Sequence, residues 1–292
     1  MPKPTIVITG ANGFVGSTLV THFASKGWTV RGLVRNPAKL TAPAKNVTYH
    51  QYELGTPFDD AVCKGADYIV HTAYVKYDRQ HPDALQANTT GAEQLRVVAR
   101  KHHTKLVFLS SMSAHEQAVS VYGKQKLAIE QLFDGPGDAV LRCGLIIGNG
   151  GIVQEMVGFL RTKRMVPLVD GGKQPLQIIG IADLAAVIQN ICTKDLSGRF
   201  TVANPHVYEY KALYETIGKT LGVKLLFVPV PFIVLLTAIR ALTLLRLPLP
   251  VGEDNLWGLK MLRAADNADD MRRIGVQAAD LPEAMRRAKV VA

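Results

Sequence analysis

Ile6-Val-Ile-Thr-Gly-Ala-Asn-Gly-Phe-Val-Gly16 is an apolar strand that runs straight into glycines at positions 10, 13 and 16. A strand that turns at once into a helix leaves the first N–H groups of that helix unpaired and aimed outward, where they can hold phosphate. Gly10 permits the tight turn, Gly13 lets the backbone approach a pyrophosphate, and Gly16 allows close packing of helix on strand. The glycine spacing is two-and-two, against one-and-two in the usual dinucleotide fingerprint, so the surroundings must carry the reading. Gly16-Ser-Thr-Leu-Val-Thr-His-Phe-Ala-Ser-Lys-Gly27 has apolar residues at 19, 20 and 23 and a glycine stop, and Trp28-Thr-Val-Arg-Gly-Leu-Val34 is a second strand. Strand, helix and strand together make a dinucleotide cradle.

Further apolar runs follow at Asn46–His50, Asp67–His71, Lys105–Leu109 and Asp138–Arg142, with helical stretches at Thr89–Arg100 and Gly123–Phe133. Strand and helix alternate, which predicts an α/β fold: a doubly wound parallel sheet of Rossmann type, with ligands at the carboxyl ends of its strands. Beyond about residue 148 the pattern loosens. A helix over Ile152–Lys163, a loop over Pro167–Pro175, a strand at Gln177–Ile179, a helix from Ala182, a strand at Arg199–Ala203 and a mostly helical tail are expected. The domains expected are 1–148 with 176–204 for the nucleotide, and 149–175 with 205–292 as a smaller, mostly helical substrate lobe interleaved with it.

A chain of 292 residues has ample material for a core. Its formal charge of +10 is spread along the sequence, densest at Arg161–Arg164 and Met285–Lys289, so solvated helix faces are expected rather than a nucleic-acid site. Cys63, Cys143 and Cys192 have no paired spacing, so neither disulfides nor zinc are indicated, and a reducing, cytoplasmic setting fits. His102, His103, His115 and His206 lack metal-site spacing, and Met1-Pro-Lys-Pro4 leads directly into a strand without a signal peptide. The most apolar run, Phe232–Leu245, lies between prolines 229, 231, 248 and 250 and carries Arg240 in its middle. It is shorter than the roughly 20 residues a spanning helix needs. It reads as a helix packed into the smaller lobe, with an apolar lid or membrane-surface element as the alternative.

Tyr122-Gly-Lys-Gln-Lys126 sets a phenol and an ammonium four residues apart, on one face of a helix's first turn. A nearby positive charge favours the phenolate, so Lys126 is expected to lower the pKa of Tyr122 from about 10. The hydroxyls of Ser110, Ser111 and Ser113 lie just past the strand ending at Leu109 and can orient a substrate oxygen. At the end of the second strand, where an NAD enzyme offers a carboxylate to the ribose, stand Arg35 and then Lys39. A guanidinium there pairs with a 2′-phosphate, which predicts NADP(H), with Arg35 as determinant and NAD as the alternative.

On these residues the chain resembles the short-chain dehydrogenase/reductase superfamily in its extended or atypical branch, which includes nucleotide-sugar epimerases and dihydroflavonol-type reductases. The segments that carry the resemblance are Thr9–Gly16, Val70–Ala73, Asn88–Gly91, Leu141–Gly148 and Ile181–Leu184. It implies Tyr122 as proton donor, Lys126 as the residue that holds the ribose hydroxyls, and Ser111 as the substrate-orienting serine. It also implies Gly10, Asn12, Gly13, Phe14, Val15, Gly16, Thr72 and Ala73 around the dinucleotide, with Glu53 and Leu54 near the adenine; a solvated loop acid is the alternative for Glu53. Met112 stands where sugar dehydratases carry an acidic pair, so elimination of water is not expected.

The function expected is NADP(H)-dependent hydride transfer to or from a carbonyl or secondary alcohol of a small, apolar substrate. An NAD-retaining sugar epimerase using Arg161, Arg164 or Arg199, and a non-catalytic dinucleotide sensor or scaffold, are the alternatives. A homodimer is implied by the resemblance alone.

Overall fold

The computed structural model describes residues 3–77, 81–133, 135–245 and 252–290. Met1, Pro2, Pro248 and Pro250, on which part of the reading above rests, lie outside the described residues.

The opening segment forms β1 (Thr5–Thr9) and α1 (Phe14–Ser25), followed by β2 (Thr29–Val34) and β3 (Val47–Gln51). Then come β4 (Tyr68–His71), α2 (Ala84–Lys101), β5 (Lys105–Ser111), α3 (Val121–Glu130) and β6 (Ala139–Cys143). With β11 (Gly198–Val202) these strands make one seven-stranded sheet in the order β11-β6-β5-β4-β1-β2-β3. Every neighbouring pair in it is parallel. Ile6, Val7 and Ile8 are fully buried, as a strand covered on both faces requires. The chain runs from β1 outward to β2 and β3, then returns to the other side of β1 with β4. The strand order therefore reverses between β1 and β4, and the crevice at a reversal is where such sheets take ligands.

The second half holds β7 (Leu145–Ile147), α4 (Gly151–Thr162), β8 (Met165–Val169), β9 (Pro175–Leu176), β10 (Ile178–Gly180) and α5 (Ile181–Thr193). After β11 follow β12 (Tyr208–Glu209), α6 (Tyr210–Leu221), β13 (Leu226–Val230), α7 (Phe232–Leu244), α8 (Glu253–Lys260), α9 (Ala268–Ile274) and α10 (Leu281–Arg287). Two expectations need correction. Met165–Val169 is a strand where a loop was expected from Pro167, and Leu226–Val230 is a strand inside the tail expected to be helical. These two pair only with each other, in parallel. Pro167 and Pro229 are tolerated there because a two-stranded ribbon is all edge, with one side of each strand free of ladder bonds.

The apolar run forms α7, but only one face packs. Phe232, Leu235 and Ile239 lie with buried Leu236 against Leu256, Trp257 and Leu259 of α8 and Val169 of β8. Ile233, Val234, Leu244 and Leu245 are 61%, 51%, 84% and 68% exposed. The helix is thus not sunk into the lobe, because its apolar residues go all the way round and α8 covers only one side. Among the described residues, no helix is long and apolar enough to cross a membrane.

Candidate active site

The turn after β1 has the form its glycines require. Gly10 adopts φ +63, and a Cβ on Gly16 would lie 2.1 Å from the carbonyl oxygen of Gly10. The amino end of α1 has Gly13 as its cap, with no side-chain hydrogen bond and no acidic residue in the first turn. Its N–H groups at Phe14, Val15 and Gly16 are therefore left for an outside acceptor, and a Cβ on Gly13 would meet nothing closer than 3.2 Å. An uncapped, glycine-lined helix start at the strand-order reversal fits the pyrophosphate of a dinucleotide.

Thr9 was missed as a site residue. Its hydroxyl accepts from Thr72 N and Ala73 N, both at 3.1 Å, and shares a 2.8 Å hydrogen bond with His71 Nδ1. The Thr72 hydroxyl donates to Thr9 O at 2.6 Å, so the ends of β1 and β4 are stitched into one floor beneath the cradle. Burial pushes His71 down to about 3, which keeps this imidazole neutral. On the far side, Tyr52 N donates to Val34 O at 2.9 Å, bringing Glu53 and Leu54 to the strand end beside Arg35. Arg35, Lys39 and Glu53 are exposed and Leu54 is buried.

The catalytic candidates come together at the carboxyl end of β5. The Ser111 hydroxyl acts on the phenol of Tyr122 to hold its pKa down, and it accepts from Ser113 N at 3.1 Å. Ser110 is committed elsewhere: its hydroxyl donates to Glu130 Oε1 at 2.5 Å, inside a buried cluster with Arg142. Tyr122 and Lys126 share a face of α3, as their spacing predicts. A Cβ on Gly123 would lie 2.4 Å from Ser113 O, so only glycine lets α3 approach the serine loop so closely.

Lys126 is 5% exposed, and its Nζ donates to Leu109 O at 2.7 Å. The ammonium also lies 4.9 Å from the ring centre of Tyr74, 4.7 Å from that of Phe108 and 6.0 Å from that of Tyr122. Burial pulls Lys126 down to about 8, opposed by Cys143 and Glu130. Burial pushes Tyr122 up to about 12, with the Ser111 hydrogen bond acting the other way and Cys143 adding to the rise. The expected lowering of Tyr122 by Lys126 is not found: desolvation of the phenolate raises the phenol, and the ammonium faces Leu109 O and two other rings. A phenol in this state keeps its proton at neutral pH, as a proton donor must.

Three other residues that sequence reasoning passed over shape the site. Tyr74 sets its ring edge-on to Tyr122, with centroids 5.3 Å apart, and donates to Gln125 Oε1 at 3.0 Å. Buried Asn88 clamps Val75, accepting from its N at 2.9 Å and donating to its O at 2.8 Å, which fixes the loop that carries Tyr74. Asp254 of α8 accepts from Val121 N at 2.5 Å and Tyr122 N at 3.4 Å. Tyr74 adjoins the segment Val70–Ala73 and Asn88 opens the segment Asn88–Gly91, whereas nothing in the sequence marks Asp254. Arg199, weighed as a sugar-diphosphate ligand, instead reaches Glu130 at 3.8 Å.

Residues 6–200 match the model of the NAD dependent epimerase/dehydratase family. The ceramide reductase of Caulobacter vibrioides is 29% identical over 202 residues, 67% of this chain and 63% of that protein. Cinnamoyl-CoA reductase 2 of Arabidopsis thaliana is 32% identical over 123 residues, 37% of this chain and 36% of that protein. The alignments therefore span less than two thirds of either relative. Among solved structures, gox2253 superposes with a TM-score of 0.78 over 100% of both chains at 18% identity. MoeE5 in complex with UDP-glucose and NAD superposes at 0.73, covering 98% of this chain and 99% of that one at 17% identity. With the family model matched across the whole nucleotide sheet, and with cinnamoyl-CoA and dihydroflavonol reductases among its relatives, the chain belongs to the NAD dependent epimerase/dehydratase family, the extended branch of the short-chain dehydrogenases/reductases.

Proposed function

We propose that the protein is an NADP(H)-dependent oxidoreductase acting on a carbonyl or secondary alcohol of an apolar substrate. The observation that carries this is the Ser111–Tyr122 hydroxyl pair at the end of β5, with the phenol held protonated and Lys126 buried one turn along the same helix face. The nicotinamide, when bound, supplies or accepts hydride at the carbonyl carbon. Gly10, Asn12, Gly13, Phe14, Val15 and Gly16 would hold its pyrophosphate, Thr72 and Ala73 would line the floor, Glu53 and Leu54 would flank the adenine, and Lys126 would hold the ribose hydroxyls. In the reductive direction Tyr122 gives its proton to the carbonyl oxygen as negative charge develops there. Ser111 donates to the same oxygen, and the Lys126 ammonium stabilises the tyrosinate left behind.

Arg35 and Lys39 support NADP(H) over NAD: both are exposed cations at the end of β2, where no carboxylate follows the strand. Calorimetric titration with NADPH and NADH is the test, alongside turnover of long-chain ketones. NADPH is expected to bind at least tenfold more tightly than NADH, and Arg35→Asp to abolish that preference. Nicotinamide that co-purifies as NAD, with no turnover of any added ketone, would instead point to epimerisation.

The apolar substrate class rests on α7 and on likeness to a ceramide reductase. The exposed face of α7 carries Ile233, Val234, Thr237, Ala238, Ala241 and Leu244, bordered by exposed Arg240, which pairs with Glu253, on a chain of formal charge +10. Such a face suits contact with an anionic membrane surface, from which an apolar substrate would be drawn. Co-sedimentation with vesicles containing phosphatidylglycerol is expected to exceed that with phosphatidylcholine alone. The double variant Ile233→Glu, Leu244→Glu should remove it, and equal, negligible sedimentation with both vesicles would discard the membrane contact.

A further inference from the structure

Asp254 stands 132 residues beyond Tyr122 in the chain, yet its carboxylate completes the first turn of the helix that carries Tyr122. The first N–H groups of an α-helix have no partner within the helix. In α3 each is met. Val121 N donates to Asp254 Oδ1 at 2.5 Å, Tyr122 N to Asp254 Oδ2 at 3.4 Å, and Gly123 N to the cap residue's own hydroxyl, Ser120 Oγ, at 3.1 Å. Lys124 N closes the first intrahelical bond on Ser120 O at 3.1 Å. Ser120 supplies one of these acceptors locally, and the other two come from α8. A carboxylate at this position also complements the positive end of the helix dipole.

The element bearing Asp254 is the apolar hairpin. Arg240 of α7 grips Glu253 through two hydrogen bonds, at 3.1 and 2.6 Å. Asp170, just past β8, accepts from Phe232 N at the start of α7 at 2.9 Å and from Lys260 Nζ at the end of α8 at 2.6 Å. Phe232 and Trp257 pack edge to face with centroids 4.7 Å apart. The two helices thus form one unit, fastened to the smaller lobe at Asp170 and to the catalytic helix at Asp254. Met261 O, one residue past α8, also lies 3.2 Å from His115 Nε2 in the loop before α3.

We infer that Asp254 is a positioning residue: it sets the backbone of Tyr122, and so the aim of its phenol at Ser111, only while the α7–α8 hairpin is docked. The inference rests on Tyr122 being the proton donor. It acts through the main chain, since burial, Ser111 and Cys143 account for the shift of the phenol. Seating of the α7–α8 hairpin is thereby coupled to completion of the first turn of α3.

The test compares Asp254→Ala and Asp254→Asn in the full chain, by hydrogen exchange of peptides spanning 119–126 and by kinetics with NADPH and the long-chain ketone that the wild type reduces best. Asp254→Ala should speed exchange of the Val121 and Tyr122 amides and lower kcat about 10- to 100-fold, the scale of a misplaced reacting group. Its NADPH affinity should stay within about twofold, because the cradle lies on α1. Asp254→Asn keeps one oxygen, enough for Val121 N, but turns an NH2 donor toward Tyr122 N, and should recover only part of kcat. Wild-type kcat in Asp254→Ala, or a kcat loss that equals the loss of NADPH affinity, overturns the inference. Tyr122→Phe in parallel separates the two readings. An inactive Tyr122→Phe beside a fully active Asp254→Ala overturns the coupling alone, whereas an active Tyr122→Phe overturns the proton-donor assignment and the coupling with it.

Discussion

Tyr122→Phe is expected to lower kcat by about 100- to 10,000-fold, the usual contribution of a positioned general acid, while leaving NADPH affinity almost unchanged. Phenylalanine keeps the ring, and with it the 5.3 Å edge contact to Tyr74, but removes the proton-donating hydroxyl. Stopped-flow reduction of a ketone under single-turnover conditions would isolate this step from product release, and a loss smaller than tenfold would remove Tyr122 from the chemistry. The same assay across pH examines Lys126. Burial lowers its pKa to about 8, so kcat/KM should fall as pH rises through that value and the ammonium is lost. The effect on stability has the opposite sign. Between about 8 and the ordinary lysine value of 10.5 the unfolded chain still holds a proton that the folded chain has shed, so this group makes folding more favourable as pH rises. An alkaline loss of activity with an undiminished melting temperature would therefore mark titration in the site rather than unfolding.

Glu130→Ala should be the most destabilising single change near the site, by about 3 to 5 kcal/mol. The Glu130 side chain is fully buried and closes a cluster that binds the last turn of α3 to three strands. Arg142 Nε meets both carboxylate oxygens at 3.0 Å, Arg142 Nη2 meets Oε2 at 2.6 Å, and Ser110 donates at 2.5 Å. Removing the carboxylate strands a hydroxyl and a guanidinium whose desolvation it had offset. Because the Arg142 side chain is 29% exposed and can turn toward water, the lower end of the range is expected. Denaturant midpoints of Glu130→Ala and Glu130→Gln measure it. A loss under about 1 kcal/mol in the alanine variant would mean that Arg142 rehydrates freely and the cluster adds little.

The nucleotide half of the fold was legible because its signals are local. The buried run Ile6–Ile8, the glycine turn and the alternating strands and helices follow from sterics and burial over a few residues at a time. Tyr122 and Lys126 could be paired from a spacing of four residues on one helix. The smaller lobe was less legible: β8 and β13 are separated by α5, α6 and the strands between them, contain prolines, and take strand form only by meeting each other. Their register is a tertiary fact.

Sequence alone determined that a parallel sheet would start with a phosphate-binding turn and that a phenol, an ammonium and a serine cluster would follow it in order. Tertiary structure decided which serine stands beside Tyr122, since Ser110 is taken by Glu130 and Ser111 is not. It also decided the direction in which the pKa of the phenol moves, because burial depends on everything packed around it. And it brought Asp254 to the first turn of α3, a contact between distant parts of the chain that no local pattern encodes. The division has one physical cause: backbone sterics and periodicity act between neighbours in sequence, whereas desolvation and hydrogen-bond satisfaction act between neighbours in space.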